Sequence, residues 1–315
     1  MRWALVMTVA SGCLAPLRAQ VPPAAATPPA AAQNPSPMVE HTRPHERLVA
    51  RDLRGVTRTI TGPGGERIEL WYPDAARMGD TVDLVFHFHG AAWLPEQSVA
   101  ALGARWAAVV VNIGAGSGAY DRAFADPAVF DSLLANVVRE SAAASGRPVR
   151  TGRIVLVGFS AGHGAVRAIL RDPRHFAAVE AVLLIDGMHT SYVPDRQLMA
   201  DGGTLDTTNL AAFAAFARAA TRGEKRFLIT HSEIFPGTFA STTETADWLL
   251  ASLGLHRTPV LAWGPRGMQQ LSEAGAGAFA LLGFAGNSAP DHIDQFHAMP
   301  ELLARLFHSA APPAP

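Results

Sequence analysis

The residues of this chain best suited to chemistry read Gly-Phe-Ser-Ala-Gly at positions 158–162, which places Ser160 between two glycines. An apolar run at residues 154–157 precedes them, and a run with helical character follows at residues 165–170. A five-residue match is weak evidence alone, but a sharp turn between a strand and a helix is the setting of a nucleophilic serine. The helix N-terminus also favours developing negative charge. The pattern therefore predicts that Ser160 is a nucleophile.

Short apolar runs alternate with helix-like segments along the rest of the chain. This alternation predicts an α/β fold with a mostly parallel central sheet and helices on both of its faces. The predicted strands cover residues 67–72, 82–88, 107–113, 154–159, 179–185, 226–230 and 278–284. The predicted helices cover about 126–144, 162–171, 209–221, 241–253 and 293–307.

Five residues with reactive or polar side chains come just after predicted strands: His89, Ser160, Asp186, Glu233 and His292. Ligands of open parallel sheets bind beyond the carboxyl ends of the strands. We therefore expect these side chains to meet at one edge of the sheet. A serine hydroxyl is a poor nucleophile at neutral pH, so a base must lie near Ser160 to take its proton.

Most of residues 60–308 resembles the α/β-hydrolase superfamily. The resemblance rests on the His89-Gly90 turn, the 158–162 elbow, a late histidine and the order of strands and helices. It implies an α/β-hydrolase fold and a serine nucleophile, with the histidine last in the chain and the acid between them. His292, before the closing helix, is the expected base, and His297 is its competitor. No cofactor and no metal are expected.

The acid of the triad is open between two carboxylates. The resemblance implies a position near Glu233, where the chain reads Thr-His-Ser-Glu and has no aspartate. Some members of the superfamily place the acid one strand earlier, which here is Asp186. We favour Asp186, because a carboxylate that ends a fully apolar strand is costly to bury without a partner.

An oxyanion hole needs backbone N–H groups directed at the developing negative charge. The expected donors are Ala161, directly after the serine, and Ala91 in the turn after His89-Gly90, with Ala92 as the alternative to Ala91. His89, Trp93 and Tyr192 are further candidates for contact with substrate. Residues 188–224 leave room for a small lid, and the chain offers no stretch for a large cap domain.

The bulk composition fits one sizeable domain. The chain has 315 residues, of which 49% are hydrophobic and 17% are charged, and its formal net charge is -1. There is enough apolar material for one large core, and there is no basic excess to attract nucleic acid. This composition favours a neutral or small substrate over a polyanion, and the resemblance to the hydrolases implies that the partner is a small-molecule or polymeric ester.

The N-terminus has the features of an export signal. Arg2 precedes an apolar stretch, and Ala19 offers a cleavage point, so residues 1–19 are predicted to be a signal peptide. Cys13, the only cysteine, allows an alternative in which the protein is a lipoprotein anchored by a lipid on this residue. Otherwise we expect a periplasmic or secreted protein without a membrane span.

The remaining boundaries follow from composition. Residues 20–40 are rich in proline and alanine and are predicted to be a disordered linker. Residues 41–310 are the predicted catalytic domain, and residues 311–315 a disordered tail.

These features predict an exported serine hydrolase that acts on carboxylic esters through an acyl-enzyme. One alternative is a metal-dependent hydrolase that uses His87 and His89, which lie two residues apart on a strand and so share one face. Another is a non-catalytic binding protein on the same fold, because a fold does not determine function.

Overall fold

A central sheet of ten strands, in the order β1-β2-β4-β3-β5-β6-β9-β12-β11-β10, organises the chain. The computed structural model describes residues 44–62, 65–73 and 79–308. The predicted signal peptide, linker and tail lie outside the described residues, as does Cys13. Among the described residues, no helix is both long and apolar enough to cross a membrane.

Ten strands form this sheet, and two more form a separate short ribbon. The strands are β1 Val56–Thr61, β2 Arg67–Tyr72, β3 Thr81–Phe88, β4 Trp106–Val111, β5 Arg150–Phe159, β6 Val179–Ile185, β7 Tyr192–Val193, β8 Thr204–Leu205, β9 Arg226–His231, β10 Thr258–Trp263, β11 Gln269–Ala276 and β12 Phe279–Phe284. The α-helices of the described residues are Trp93–Ala100, Ser117–Ala123, Pro127–Ser145, His163–Leu170, Pro173–Ala178, Ala211–Thr221, Thr242–Leu253, Ala289–His297 and Met299–His308.

The centre of the sheet is parallel and its edges are antiparallel. Strands β4, β3, β5, β6, β9 and β12 pair in parallel. Strands β1 and β2 on one side, and β11 and β10 on the other, add antiparallel pairs. This arrangement, with the Ser160 turn after the central strand β5, confirms the predicted α/β-hydrolase fold.

The core occupies both faces of the sheet. Alternation along β3 sends Phe86 and Phe88 into one apolar cluster and Val85 into the cluster on the opposite face. Because both faces are covered by helices, the central strands are buried throughout and read in the sequence as uninterrupted apolar runs. This explains why the sequence predicts these strands within a few residues of their observed bounds.

The closing helix was predicted incorrectly as one element over residues 293–307. The structure has two helices, Ala289–His297 and Met299–His308, which meet at Ala298. Pro300 lies in the first turn of the second helix, where the missing N–H of proline costs no helical hydrogen bond. His292, which the sequence places before the closing helix, therefore lies inside the first of these two helices.

The segment at residues 188–224 contains no inserted domain. Its main helix, Ala211–Thr221, packs into the core, with Phe213 and Phe216 fully buried. The stretch before this helix holds the two-stranded ribbon of β7 and β8 and two short 3-10 turns.

Candidate active site

Ser160 lies on a strained turn at the end of β5. Its φ angle of 48° is in the left-handed region, which is unusual for a residue with a side chain. A single 3-10 turn, Ser160–Gly162, joins the strand to the helix His163–Leu170. A Cβ atom at position 162 would lie only 1.9 Å from the carbonyl oxygen of Phe88, so only glycine fits there. The backbone therefore matches the strained turn that the sequence motif predicts.

Asp186 follows β6 and is buried at 2% exposure among hydrogen-bond donors. Its carboxylate accepts hydrogen bonds from the backbone N–H of Ser232 (2.8 Å), the Ser232 hydroxyl (2.8 Å) and the Thr242 hydroxyl (2.9 Å). His292 Nδ1 lies 2.6 Å from Asp186 Oδ2. The buried carboxylate thus has the partners that the sequence analysis required of it.

The protonation of this pair follows from its contacts. Burial by itself would raise the pKa of Asp186, but the hydrogen bonds from His292 and Ser232 outweigh burial and hold the pKa below its usual value. The ionised carboxylate can only accept, so Nδ1 of His292 carries the proton. The other ring nitrogen, Nε2, is therefore left with a free lone pair that can accept a proton.

His292 is held by its helix as well as by Asp186. The helix Ala289–His297 begins with a capping box, in which the Ser288 N–H and hydroxyl both donate to the Asp291 carboxylate. The His292 ring stacks on Phe159 at a centroid distance of 4.6 Å. Phe159 directly precedes Ser160, so the imidazole lies beside the strained turn.

The two competing residues lie elsewhere. Glu233 is exposed, and its backbone N–H donates to the carbonyl oxygen of Gly286 at 2.9 Å. His297 Nδ1 accepts a hydrogen bond from the backbone N–H of Leu48 at 2.9 Å. The carboxylate that the structure brings to His292 is therefore that of Asp186.

The turn at His89 and Gly90 is fixed by side chains that the sequence analysis did not single out. Both residues have positive φ angles, 75° and 120°. Asn112 accepts from the Gly90 N–H and donates to the Gly90 carbonyl, each at 2.9 Å. His87 Nε2 donates to the His89 carbonyl at 2.7 Å. Ala91 follows this rigid turn.

Three residues of the site were missed by sequence reasoning: Asn112, Ser232 and Thr242. Asn112 directly follows strand β4 and Ser232 directly follows strand β9. Both could therefore have been selected in the same way as the other candidates, as polar residues at the carboxyl ends of parallel strands. Thr242 opens a helix, and no local signal connects it to Asp186.

The other substrate-contact candidates are engaged in packing. Tyr192 is buried, and its hydroxyl donates to Glu244 at 2.9 Å. Trp93 begins a helix and lies 5.7 Å from the His297 ring. His89 Nδ1 is 3.0 Å from the hydroxyl of Tyr120. None of the three candidates is among the described residues that line the two cavities at Ser160.

Ser160 lies between two cavities. The first, which we call the apolar cavity, measures about 580 Å³ and has walls that include Ile234, Phe235, Pro236, Phe239 and His292. The second, the polar cavity, measures about 480 Å³ and has walls that include Ser117, His163, Arg167, Thr190, Ser191 and Asn209. Both cavities reach Ser160, and both also have His189 and Phe239 in their walls.

The alternative metal site at His87 and His89 is not assembled. Nε2 of His87 is engaged with the His89 carbonyl, and His89 Nδ1 with Tyr120. Within the part of the chain that the structure describes, the one group of three or more metal-ligating side chains with ligand atoms close together is His45, Asp291 and Asp294. Arg47 already pairs with Asp294 at 3.0 Å, which disfavours a cation at that group.

Two buried histidines near the site predict an acid-sensitive fold. Burial lowers the pKa of both His87 and His163 to about 3, so the native state keeps them neutral. Between pH 3 and about 6.5 the unfolded chain binds these protons and the native state does not, so stability falls as the pH falls. Each histidine should lower the free energy of unfolding by about 2.5 kcal/mol between pH 7 and pH 4.5.

Urea denaturation at these two pH values measures the effect. The exposed His256 supplies a control, because His256→Gln should keep the pH dependence of the unsubstituted protein. His87→Phe should fold less stably but lose less stability on acidification. An unfolding free energy that is equal at pH 7 and pH 4.5 would contradict the neutral, buried state of these rings.

No protein-family model and no curated protein matches this chain. Solved structures do match. A fungal esterase from Rhizomucor miehei is 14% identical with a TM-score of 0.43, over 85% of this chain and 88% of its own. A poly(3-hydroxybutyrate) depolymerase from Bordetella parapertussis is 15% identical with a TM-score of 0.44, over 84% and 93%. The S-formylglutathione hydrolase of Staphylococcus aureus is 13% identical with a TM-score of 0.44, over 82% and 99%.

At such identities and TM-scores, the matched structures say nothing about the substrate of this chain.

Proposed function

We propose that this protein is a serine hydrolase of carboxylic esters. The observation that carries the proposal is the 2.6 Å hydrogen bond between His292 and Asp186, in a cavity that Ser160 also lines. In the proposed reaction, His292 Nε2 takes the hydroxyl proton of Ser160 as the oxygen attacks the ester carbonyl. Asp186 orients the imidazole and stabilises the imidazolium that forms.

The tetrahedral intermediate collapses when the C–O bond to the alcohol breaks. His292 returns its proton to the leaving alcohol, and the acyl group stays on Ser160. Water then attacks this acyl-enzyme with His292 again as base, which releases the acid and restores the serine. Every proton in this sequence is carried by the protein or by water, so the proposed reaction needs no cofactor.

The developing oxyanion requires backbone donors. We assign this role to the N–H groups of Ala161 and Ala91. Ala161 lies in the 3-10 turn at the N-terminus of the helix His163–Leu170, where the helix dipole favours negative charge. Ala91 follows the turn that His87 and Asn112 hold rigid. Donors fixed in advance need no reorganisation when the charge forms.

A fluorophosphonate probe tests the nucleophile directly. We expect the probe to label the intact protein at Ser160, as located by mass spectrometry of the labelled peptide, because such probes react with activated serines. The Ser160→Ala variant and heat-denatured protein are the controls, and both should stay unlabelled. Absence of label on the folded protein, or label on a different serine, would reject the proposed function and favour a binding protein.

A further inference from the structure

Stacked aromatic rings connect the proposed base to the turn at Gly90. The ring centroid of Phe159 lies 4.6 Å from that of His292 and 4.5 Å from that of Phe296. The Phe296 ring in turn lies 5.3 Å from that of His87. In each of the three pairs the ring planes are inclined by 28° or less, so the rings are stacked. We call these four residues the aromatic stack.

Phe296 links the aromatic stack to the helix of the proposed base. It lies four residues after His292 on the helix Ala289–His297, so the two side chains share one face of that helix. Both of their rings stack on Phe159, which directly precedes Ser160. Phe159 and Phe296 are each 4% exposed, so the centre of the stack is shielded from water. The plane of the His292 ring therefore depends on Phe159, and the position of Phe159 depends on Phe296.

The same ring supports the turn at Gly90. A Cβ atom at position 90 would lie only 2.7 Å from Cζ of Phe296, so the ring fills the space that a side chain there would need. His87 stacks on Phe296, and Nε2 of His87 donates to the His89 carbonyl oxygen at 2.7 Å. Ala91, the proposed oxyanion donor, follows this turn directly. Phe296 thus contacts residues that fix the position of this donor.

We propose that Phe296 is a positioning residue, which holds the His292 imidazole and the turn before Ala91 in register with each other. This inference rests on the proposed function, because it concerns the alignment of the groups that carry out that reaction. Stacked rings define both a distance and a plane, which an aliphatic side chain does not. Groups that act in catalysis must be placed within about 0.5 Å, and a displacement of about 1 Å can cost about 100-fold in rate.

Phe296→Leu tests the proposal, because leucine is also apolar but has no flat ring. We expect kcat for p-nitrophenyl butyrate to fall at least about tenfold, since acylation and deacylation both use the groups that the ring aligns. Phe296 is not among the described residues that line either cavity at Ser160. KM should therefore stay within about threefold, because equal slowing of both steps leaves KM unchanged. If this variant does not fold, Phe296→Met, whose flexible side chain adapts to the space, carries the same expectation.

Phe216→Leu is the matched control. Phe216 is fully buried, and its ring lies 5.3 Å from that of Phe176 and 5.6 Å from that of Phe227. The same substitution should therefore cost a comparable amount of stability, measured by urea denaturation, but kcat should stay that of the unsubstituted protein. An unchanged kcat in Phe296→Leu, or an equal loss of kcat in both variants, would overturn the proposal.

The fluorophosphonate probe separates this inference from the function on which it rests. The proposal requires that Phe296→Leu is still labelled at Ser160, but more slowly, by about the same factor as the loss in kcat. If the unsubstituted protein and Phe296→Leu are labelled at the same rate, only the positioning role is rejected. If the unsubstituted protein neither hydrolyses the ester nor is labelled at Ser160, the proposed function fails and the positioning role fails with it.

Discussion

Ser160→Ala is expected to lower kcat for ester hydrolysis about 10⁶-fold, because alanine has no oxygen with which to form the acyl-enzyme. The Ser160→Ala variant should fold normally, because the substitution does not strain the turn at residue 160. Alanine and serine both carry a Cβ, so the variant adds no atom to the turn in which residue 160 has a φ of 48°. The loss should therefore appear in turnover, and the thermal unfolding temperature should change little.

The exposed Ser132 on the helix Pro127–Ser145 provides the matched control. Ser132→Ala removes the same hydroxyl group from a surface position and should retain full activity. The test is to measure kcat for a single ester by steady-state kinetics on both variants and on the unsubstituted protein. A Ser160→Ala protein that keeps more than about one hundredth of the activity would show that another group attacks the substrate.

Asp186→Asn is expected to lower kcat by about 10⁴-fold, the effect seen when the acid of a serine triad becomes an amide. An asparagine amide directed at His292 Nδ1 favours the ring tautomer with its proton on Nε2, and this nitrogen can then no longer accept the serine proton. The change also disturbs the hydrogen bonds from Ser232 and Thr242, so the stability of the variant should be measured beside its rate.

Glu233→Gln makes the same carboxylate-to-amide change at the competing position. Because Glu233 is exposed, we expect kcat of this variant to stay within about threefold of the unsubstituted value. The two variants assayed together discriminate the acids. If Glu233→Gln lost activity as strongly as Asp186→Asn, the assignment of the orienting carboxylate to Asp186 would be wrong.

The central strands and the turn at Ser160 could be predicted because their signals are local. Strand β6 was predicted at its observed bounds, residues 179–185, since a strand buried on both faces requires a continuous apolar run. The capping box formed by Ser241 and Glu244 is likewise a local signal, because a motif of only four residues marks the start of the helix Thr242–Leu253. These signals depend on neighbours along the chain.

Of the antiparallel edge strands, β2 was predicted at its observed bounds, residues 67–72, but β1, β10 and β11 could not be predicted in the same way. Strand β10 is exposed along most of its length, including Leu261 and Trp263, and shows no alternation of buried and exposed residues. Strand β1 is also mostly exposed. Such strands exist because a neighbouring strand supplies hydrogen bonds, and the periodicity of their own residues carries little of that information.

The sequence by itself determined that Ser160 lies on a crowded turn after a buried strand, and that several polar residues follow other strands at one edge of the sheet. Only the tertiary structure decided which carboxylate pairs with His292. Asp186 and His292 are 106 residues apart, and their hydrogen bond depends on the paths of two loops and a helix. Local periodicity encodes strands and turns, whereas contacts between distant residues are set by how those elements pack.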